Sequence, residues 1–356
     1  ASTAHRYLYA QAASAEEGYA SRWRRESTGF HLTSAATGLN GSSNSYMYVA
    51  IARSHKPASE FAATNLFTPL ANPNNSSAPY WTASHVIDTF WQKNTTSGGW
   101  YVGDRLRQGK ELQLDSTAAE GGASNHQFDY QTGVGDGASG SNAFRYLFRR
   151  AKGFFDVVSY TGDGTSTSFS HNLGATPELK IIKIRSDAFG WLVGGSAVTG
   201  GTKDYQLYLD TNAAQANTNY WGAVDSASAF SVVASNYLSN VSGQTYLAYL
   251  FATVAGISKI GSYTGTGSDL NVDCGFSAGA RFVVIKRTDS TGDWYVFDSV
   301  RGIVAGNDPY YLINSNAAQV TNTDYIDPLS SGFTITSSAP AGLNASSGTY
   351  IFLAIA

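Results

Sequence analysis

The chain has 356 residues, of which 14% are charged, and its formal net charge is −3. This near-neutral balance gives no electrostatic basis for binding nucleic acid. The single cysteine, Cys274, excludes internal disulfides and cysteine-rich metal sites. No apolar run approaches the ~18–20 residues that a membrane-spanning helix needs, so we expect no membrane insertion.

The first segment, residues 1–55, ends in the strand-like run YMYVAIA, an ending that recurs twice further along the chain. Phe30 lies 303 residues before Phe333, which has the same place in the last copy of the pattern. We interpret residues 1–55 as the C-terminal half of a β-sandwich module. Half a sandwich leaves strand edges unpaired. We therefore expect upstream residues, or alternatively another chain, to complete it.

Three longer copies follow. Residues 56–152 are interpreted as a diverged β-sandwich module, and residues 153–255 and 256–356 as two closely matching ones. In the last two copies, landmark residues recur after 103 positions. These landmarks are Tyr160 and Tyr263, Trp191 and Trp294, and Phe230 and Phe333. A fixed period of this kind indicates an internal repeat.

Apolar residues in these copies alternate or cluster over four to eight positions, the pattern of strands. The sequence predicts an all-β fold of tandem antiparallel β-sandwich modules, jelly-roll-like, each of about 100 residues. A β-propeller fits less well because its blades repeat at about 40–50 residues. Only residues 253–255 separate two strand-like runs at one joint. We therefore expect stiff joints and a rod-like, end-to-end arrangement.

At this joint the chain resembles a repeat family of tail-fibre and other virion proteins of marine bacteriophages, especially cyanophages. The resemblance lies in HNLGATPELKIIKIR (171–185), Trp191, LDTNAA (209–214) and YLAYLFATVAGISKIGSYTGTG (246–267). It covers residues 153–356 well and residues 56–152 weakly. The last copy departs from the pattern, with Ala280 where Pro177 would correspond.

The resemblance implies a non-enzymatic virion protein, a tail fibre or surface appendage on the exterior of the phage particle. It implies other virion proteins as partners and, by family analogy, a homotrimer. We expect attachment to a host-surface glycan through several weak contacts. The alternatives are a purely structural component, such as capsid decoration or a fibre shaft, and a polysaccharide depolymerase. No cofactor and no catalytic residue is implied.

Aromatic residues supply the predicted glycan contacts. Tyr80 and Trp81 follow a loop rich in Asn, Pro and Ser, where binding residues tend to lie. Trp23 lies among arginines in the first segment and is a third predicted contact. By contrast, Trp100, Trp191 and Trp294 occupy one slot in three copies, and we expect all three in the core. Tyr80 and Trp81 could equally anchor their own loop.

Charged residues give weaker signals. Lys93, Arg185 and Arg287 end one predicted strand and are expected to be solvated. Arg145, Arg149 and Arg150 could bind acidic polysaccharide, although we favour salt bridges between modules. Asp104, Glu111, Asp115 and Glu120 are the carboxylates that a depolymerase could use. The six histidines lack metal-ligand spacing, so we predict no metal site.

Overall fold

A computed structural model describes residues 62–121, 126–135, 142–199, 205–218, 220–222, 224–234 and 236–356, with four earlier strands. Residues 1–54 and residues 55–356 form two separate compact units. In the first unit the described backbone forms two antiparallel hairpins. Their strands are β1 (Ala4–Tyr7), β2 (Glu17–Ala20), β3 (Trp23–Glu26) and β4 (Gly29–Leu32).

The second unit contains three large antiparallel sheets, in each of which neighbouring strands are hydrogen-bonded in the following order. Sheet 1 consists of β5 (Phe67–Ala71), β11 (Ala143–Phe148), β7 (Thr89–Asn94), β8 (Tyr101–Asp104) and β9 (Leu112–Gln113). Sheet 2 consists of β12 (Phe155–Thr161), β19 (Thr245–Phe251), β14 (Leu179–Ile184), β15 (Leu192–Gly194), β16 (Tyr205–Tyr208) and β17 (Ala216–Asn217). Sheet 3 consists of β20 (Ser258–Thr264), β27 (Thr349–Ile355), β22 (Phe282–Arg287), β23 (Trp294–Asp298) and β24 (Tyr311–Leu312).

Smaller antiparallel sheets accompany the large ones. They are β6 (Trp81–Thr82) with β10 (Gly133–Val134), β13 (Thr167–Ser170) with β18 (Ala229–Val232), and β21 (Leu270–Asp273) with β26 (Gly332–Ile335) and β25 (Ile326–Leu329). The described helices are short: a 3₁₀ turn at Ala63–Asn65, α1 (Ser196–Thr199) and α2 (Ala341–Asn344). The predicted all-β, antiparallel sandwich character is thus confirmed.

The strand that closes each copy is buried on both faces. In β19, Tyr246 and Leu250 pack in one core cluster with Phe230 of the smaller sheet. The alternate residues Tyr249 and Phe251 belong to a different cluster. Because successive side chains of a strand point to opposite faces, the large sheet lies between two apolar layers.

The second of these layers is shared by all three large sheets. Phe148 of β11, Phe251 of β19 and Ile355 of β27 belong to one buried cluster. The sheets therefore surround a common core and do not follow one another along a rod. The reason is physical: each large sheet is apolar on both faces, and its second face must also be removed from water.

The predicted module boundaries after residues 152 and 255 fall between β11 and β12 and between β19 and β20. Residues 1–54 show two backbone pairings that recur 303 residues later. The pairs are Tyr7 with Glu17 and Arg25 with Phe30, repeated as Tyr310 with Val320 and Pro328 with Phe333. The run at 46–52 lies outside the described residues, so the half module and the boundaries stay predictions.

Candidate functional site

Three equivalent tryptophans join the large sheets in a closed ring. Each indole N–H donates to a backbone carbonyl of another sheet, at 2.7–2.8 Å. The bonds run from Trp100 to Leu312, from Trp191 to Gln113 and from Trp294 to Tyr208. Sheet 1 thus contacts sheet 3, sheet 3 contacts sheet 2, and sheet 2 contacts sheet 1. All three side chains are at most 3% exposed, which confirms their predicted place in the core.

Three lysines repeat the same ring. The ammonium groups of Lys93, Lys183 and Lys286 each donate to a carbonyl in their own sheet's turn and to one carbonyl of the neighbouring sheet. Burial lowers the pKa of each lysine to about 8. Nearby aspartates raise the pKa and offset only part of this effect. The expectation that Lys93 is solvated was wrong, because its carbonyl partners allow it to be fully buried.

A junction is the place where one large sheet meets the next. At two of the three junctions, an aspartate, an arginine and a tyrosine form a buried polar triad. Between sheets 1 and 2, Arg107 Nε donates to Asp104 Oδ2 at 2.6 Å, and the Tyr249 hydroxyl donates to the same oxygen at 3.2 Å. Burial opposes the charge on Arg107, yet Asp104, Tyr249 and Glu120 raise its pKa above the ordinary value. A second cation, Arg185, binds both oxygens of Glu120 at 2.9 and 3.0 Å.

The junction between sheets 3 and 1 repeats this arrangement. Arg301 Nε donates to Asp298 Oδ2 at 2.5 Å, and the Tyr146 hydroxyl donates to that oxygen at 2.8 Å. Burial raises the pKa of Tyr146 well above its ordinary value, so the hydroxyl stays a donor. The triad is therefore a hydrogen-bonded unit that joins two sheets.

Among the residues that the structure describes, the third junction, between sheets 2 and 3, has no such triad. Gly195 and Val198 occupy the positions of the aspartate and arginine, four and seven residues after the tryptophan. Leu353 occupies the tyrosine position, and it lines a small apolar cavity with Ala197 and Ile260. This junction is held by apolar packing, in contrast to the other two.

A comparison with known protein families finds a match that includes two of the three large sheets. Residues 148–356 match the domain of unknown function DUF7483. The chain belongs to this family. The DUF7483 match starts at the last residue of β11 and includes every strand of sheets 2 and 3. A comparison with curated proteins finds no match.

The structure describes the side chains of two of the three predicted glycan contacts. Trp81 has no exposed surface, and the guanidinium of Arg145 lies 4.5 Å from its ring centre. This burial argues against Trp81 as a glycan contact and fits the alternative of a loop anchor. Tyr80 is partly buried and packs against the same core, so its role stays a prediction. The side chain of Trp23 lies outside the described residues.

The carboxylates proposed for a depolymerase all have structural partners. Asp104 and Glu120 bind the arginines described above. Glu111 lies 3.1 Å from His126 Nε2, and Asp115 accepts the backbone N–H of Trp100 at 2.9 Å. Asp210 and Asn314 accept the equivalent bonds in sheets 2 and 3, so Asp115 has a place in the repeated framework.

Arg150 binds Asp156 at 2.6 Å, a salt bridge across the predicted boundary at residue 152. This contact agrees with the favoured interpretation for that arginine. Among the residues that the structure describes, no group of three or more His, Cys, Asp or Glu side chains could hold a metal ion. In the same residues, no helix has the length and apolarity to cross a membrane.

One surface feature has no counterpart in the sequence-based predictions. Phe189 and Tyr237 stack on each other, with ring centres 5.2 Å apart and planes at 28°. Tyr237 is 58% exposed. The two residues are 48 positions apart and lie in no repeated motif, so only the fold brings them together.

Proposed function

We propose that this chain is a non-enzymatic bacteriophage virion protein, a tail fibre or surface appendage that binds a host-surface glycan. The resemblance of residues 153–356 to virion repeats supports the virion role. The closed ring of sheets supports a rigid body, because the repeated Trp and Lys residues all bind carbonyls of neighbouring sheets. A rigid body can present loops in fixed positions, which reduces the entropy lost on binding.

The observation that carries the non-enzymatic part is the use of the carboxylates. A glycosidase of the usual kind needs two carboxyl groups that flank the substrate. Asp104 is fully buried against Arg107, and Asp115 holds the backbone of Trp100. These two acids serve the framework.

Adsorption to cells tests the attachment role. The full chain, labelled with a fluorophore, should bind marine cyanobacterial cells, and enzymatic removal of surface polysaccharide should abolish the binding. Antibodies against the chain should label the exterior of phage particles in electron micrographs. Absence of labelling would contradict the virion role, and undiminished binding after polysaccharide removal would contradict the glycan role.

A purely structural role is the second candidate, and it is favoured by the same ring of internal contacts. A chain that labels the particle but binds no cells would establish it. The depolymerase is tested with Glu111→Gln, because Glu111 keeps 29% of its side chain exposed. Asp104→Ala would remove a buried ion pair and perturb folding. Release of oligosaccharides by the wild type, lost in Glu111→Gln, would contradict the non-enzymatic proposal.

A further inference from the structure

The aromatic pair lies where two loops of sheet 2 meet. Phe189 belongs to the loop between β14 and β15, and Tyr237 belongs to the loop between β18 and β19. Among the described residues, the strongly exposed large apolar side chains are four valines and Tyr237. Tyr237 is therefore the aromatic side chain that this surface offers most openly to a ligand.

Hydrogen bonds hold the backbone of both residues in place. The carbonyl of Phe189 accepts a hydrogen bond from the buried ammonium group of Lys183. The carbonyl of Tyr237 accepts a hydrogen bond from the Tyr246 hydroxyl at 3.2 Å. Asn236 Oδ1 accepts the N–H of Leu238 at 2.8 Å, which fixes the turn around Tyr237. The pair is thus a preformed platform, and little ordering is needed when a ligand binds.

The fold itself does not require these aromatics. In sheet 3, the counterpart of Phe189 is Gly292, 103 residues later, and the counterpart of Tyr237 is Ala341, 104 residues later. The carbonyl of Ala341 accepts a hydrogen bond from the Tyr350 hydroxyl, just as the carbonyl of Tyr237 accepts one from the Tyr246 hydroxyl. The carbonyl of Gly292 still accepts a hydrogen bond from Lys286, just as the carbonyl of Phe189 accepts one from Lys183. The loop framework is therefore preserved where the rings are absent, which separates the rings from the structural role.

Polar groups lie on the same two loops. The Ser186 hydroxyl donates to Gln244 Oε1 at 2.5 Å, which ties the loops together. Asp187 is exposed, and it acts electrostatically on the Tyr246 hydroxyl that contacts Tyr237. An aromatic face with nearby carboxylate and amide groups suits a ring that has an apolar face and hydroxyl groups at its edge.

We propose that Phe189 and Tyr237 form the stacking platform for one sugar residue of a surface polysaccharide, with Asp187 and Gln244 as hydrogen-bond partners of its hydroxyl groups. This inference rests on the proposed glycan attachment and adds the site to it. A sugar fits better than a second protein, because a single exposed ring flanked by polar groups is far smaller than a protein interface.

The test uses the full chain on an array of purified bacterial capsular and O-antigen polysaccharides. Tyr237→Ala should weaken binding at least about tenfold, a loss of about 1.4 kcal/mol. Tyr237→Phe keeps the stacking face and should bind within about threefold of the wild type. Asp187→Asn should also weaken binding. Val304→Ala changes another side chain, 48% exposed, and should leave binding unchanged.

Three results would overturn the inference, and they differ in what else they affect. If the wild type binds the array and Tyr237→Ala binds equally well, the site is wrong while glycan attachment stands. If the wild type binds neither the array nor cells, both the site and the attachment role fail. Loss of self-association in Tyr237→Ala, with unchanged glycan binding, would assign the platform to contacts between copies of the chain.

Discussion

The polar and apolar junctions of the ring differ at the same three positions. Between sheets 3 and 1, Asp298, Arg301 and Tyr146 form a buried hydrogen-bonded triad. Between sheets 2 and 3, the equivalent positions all hold apolar residues or glycine. A buried charge without its partner is strongly unfavourable, whereas a complete pair and an apolar replacement can be similar in stability. The comparison indicates that the three residues act as one unit.

Removal of the cation from a triad should have the largest effect. Arg301→Met leaves the fully buried Asp298 without its ion pair, and we expect a loss of about 3–5 kcal/mol in the free energy of unfolding. The triple variant Asp298→Gly, Arg301→Val, Tyr146→Leu copies the apolar junction. In urea denaturation, its loss in the free energy of unfolding should be clearly smaller than the sum of the losses of the three single variants. Additive losses would contradict the view of the triad as a unit.

The hydrogen bonds by which the three tryptophans join the large sheets should give the next largest effect. Trp294→Phe removes the N–H that binds the Tyr208 carbonyl, and we expect a loss of about 1–3 kcal/mol. Trp81→Phe is the matched control, since its buried N–H has no hydrogen-bond partner in the described part of the chain. Denaturation curves should show the larger loss for Trp294→Phe. Equal losses would mean that the bond between sheets contributes nothing.

A single hydroxyl should have a smaller effect. Tyr249→Phe removes the hydrogen bond to Asp104 and should lower the free energy of unfolding by about 1 kcal/mol. Tyr311→Phe removes a buried hydroxyl that has no hydrogen-bond partner among the described residues, and should be neutral or stabilising. A reversed order of the two variants in thermal denaturation would count against the polar junctions.

The buried lysines should give stability a pH dependence. Their pKa values of about 8 lie below the ordinary 10.5, so between pH 8 and about 10 the folded chain binds fewer protons than the unfolded chain. Stability should therefore rise with pH in this window. Above about pH 10 it should fall, because burial raises the pKa of Tyr146 and Tyr249 and the unfolded state loses those protons first.

Lys286→Met should remove about one third of this rise, since three equivalent lysines share it. Lys110→Met is the control, because the Lys110 side chain is exposed. Denaturation midpoints measured at several pH values between 7 and 10 give the slope. A slope that does not change in Lys286→Met would mean that the lysine is not the source of the rise.

Part of this architecture could be predicted from sequence. The 103-residue repeat predicted equivalent places for Trp191 and Trp294, and both are in the core. The continuous apolar run YLAYLFA also contains a signal of double-sided burial, since strands buried on both faces lack polar alternation. That signal argues against isolated modules in a row.

The ring itself could not be predicted in this way. The indole of Trp294 binds a backbone carbonyl, and any residue can supply a carbonyl. Asp298 and Arg301 are three residues apart in the sequence, but their partner Tyr146 is more than 150 residues away. The aromatic platform could not be predicted for the same reason, because Phe189 and Tyr237 meet only after folding.

Hydrogen exchange in low concentrations of urea tests the central claim most directly. The claim is that the three large sheets share one core and unfold together. The amides of β11, β19 and β27 should then exchange through one global opening, with the same free energy and the same urea dependence. Three distinct free energies, one for each sheet, would show that the sheets unfold independently and would contradict the closed ring.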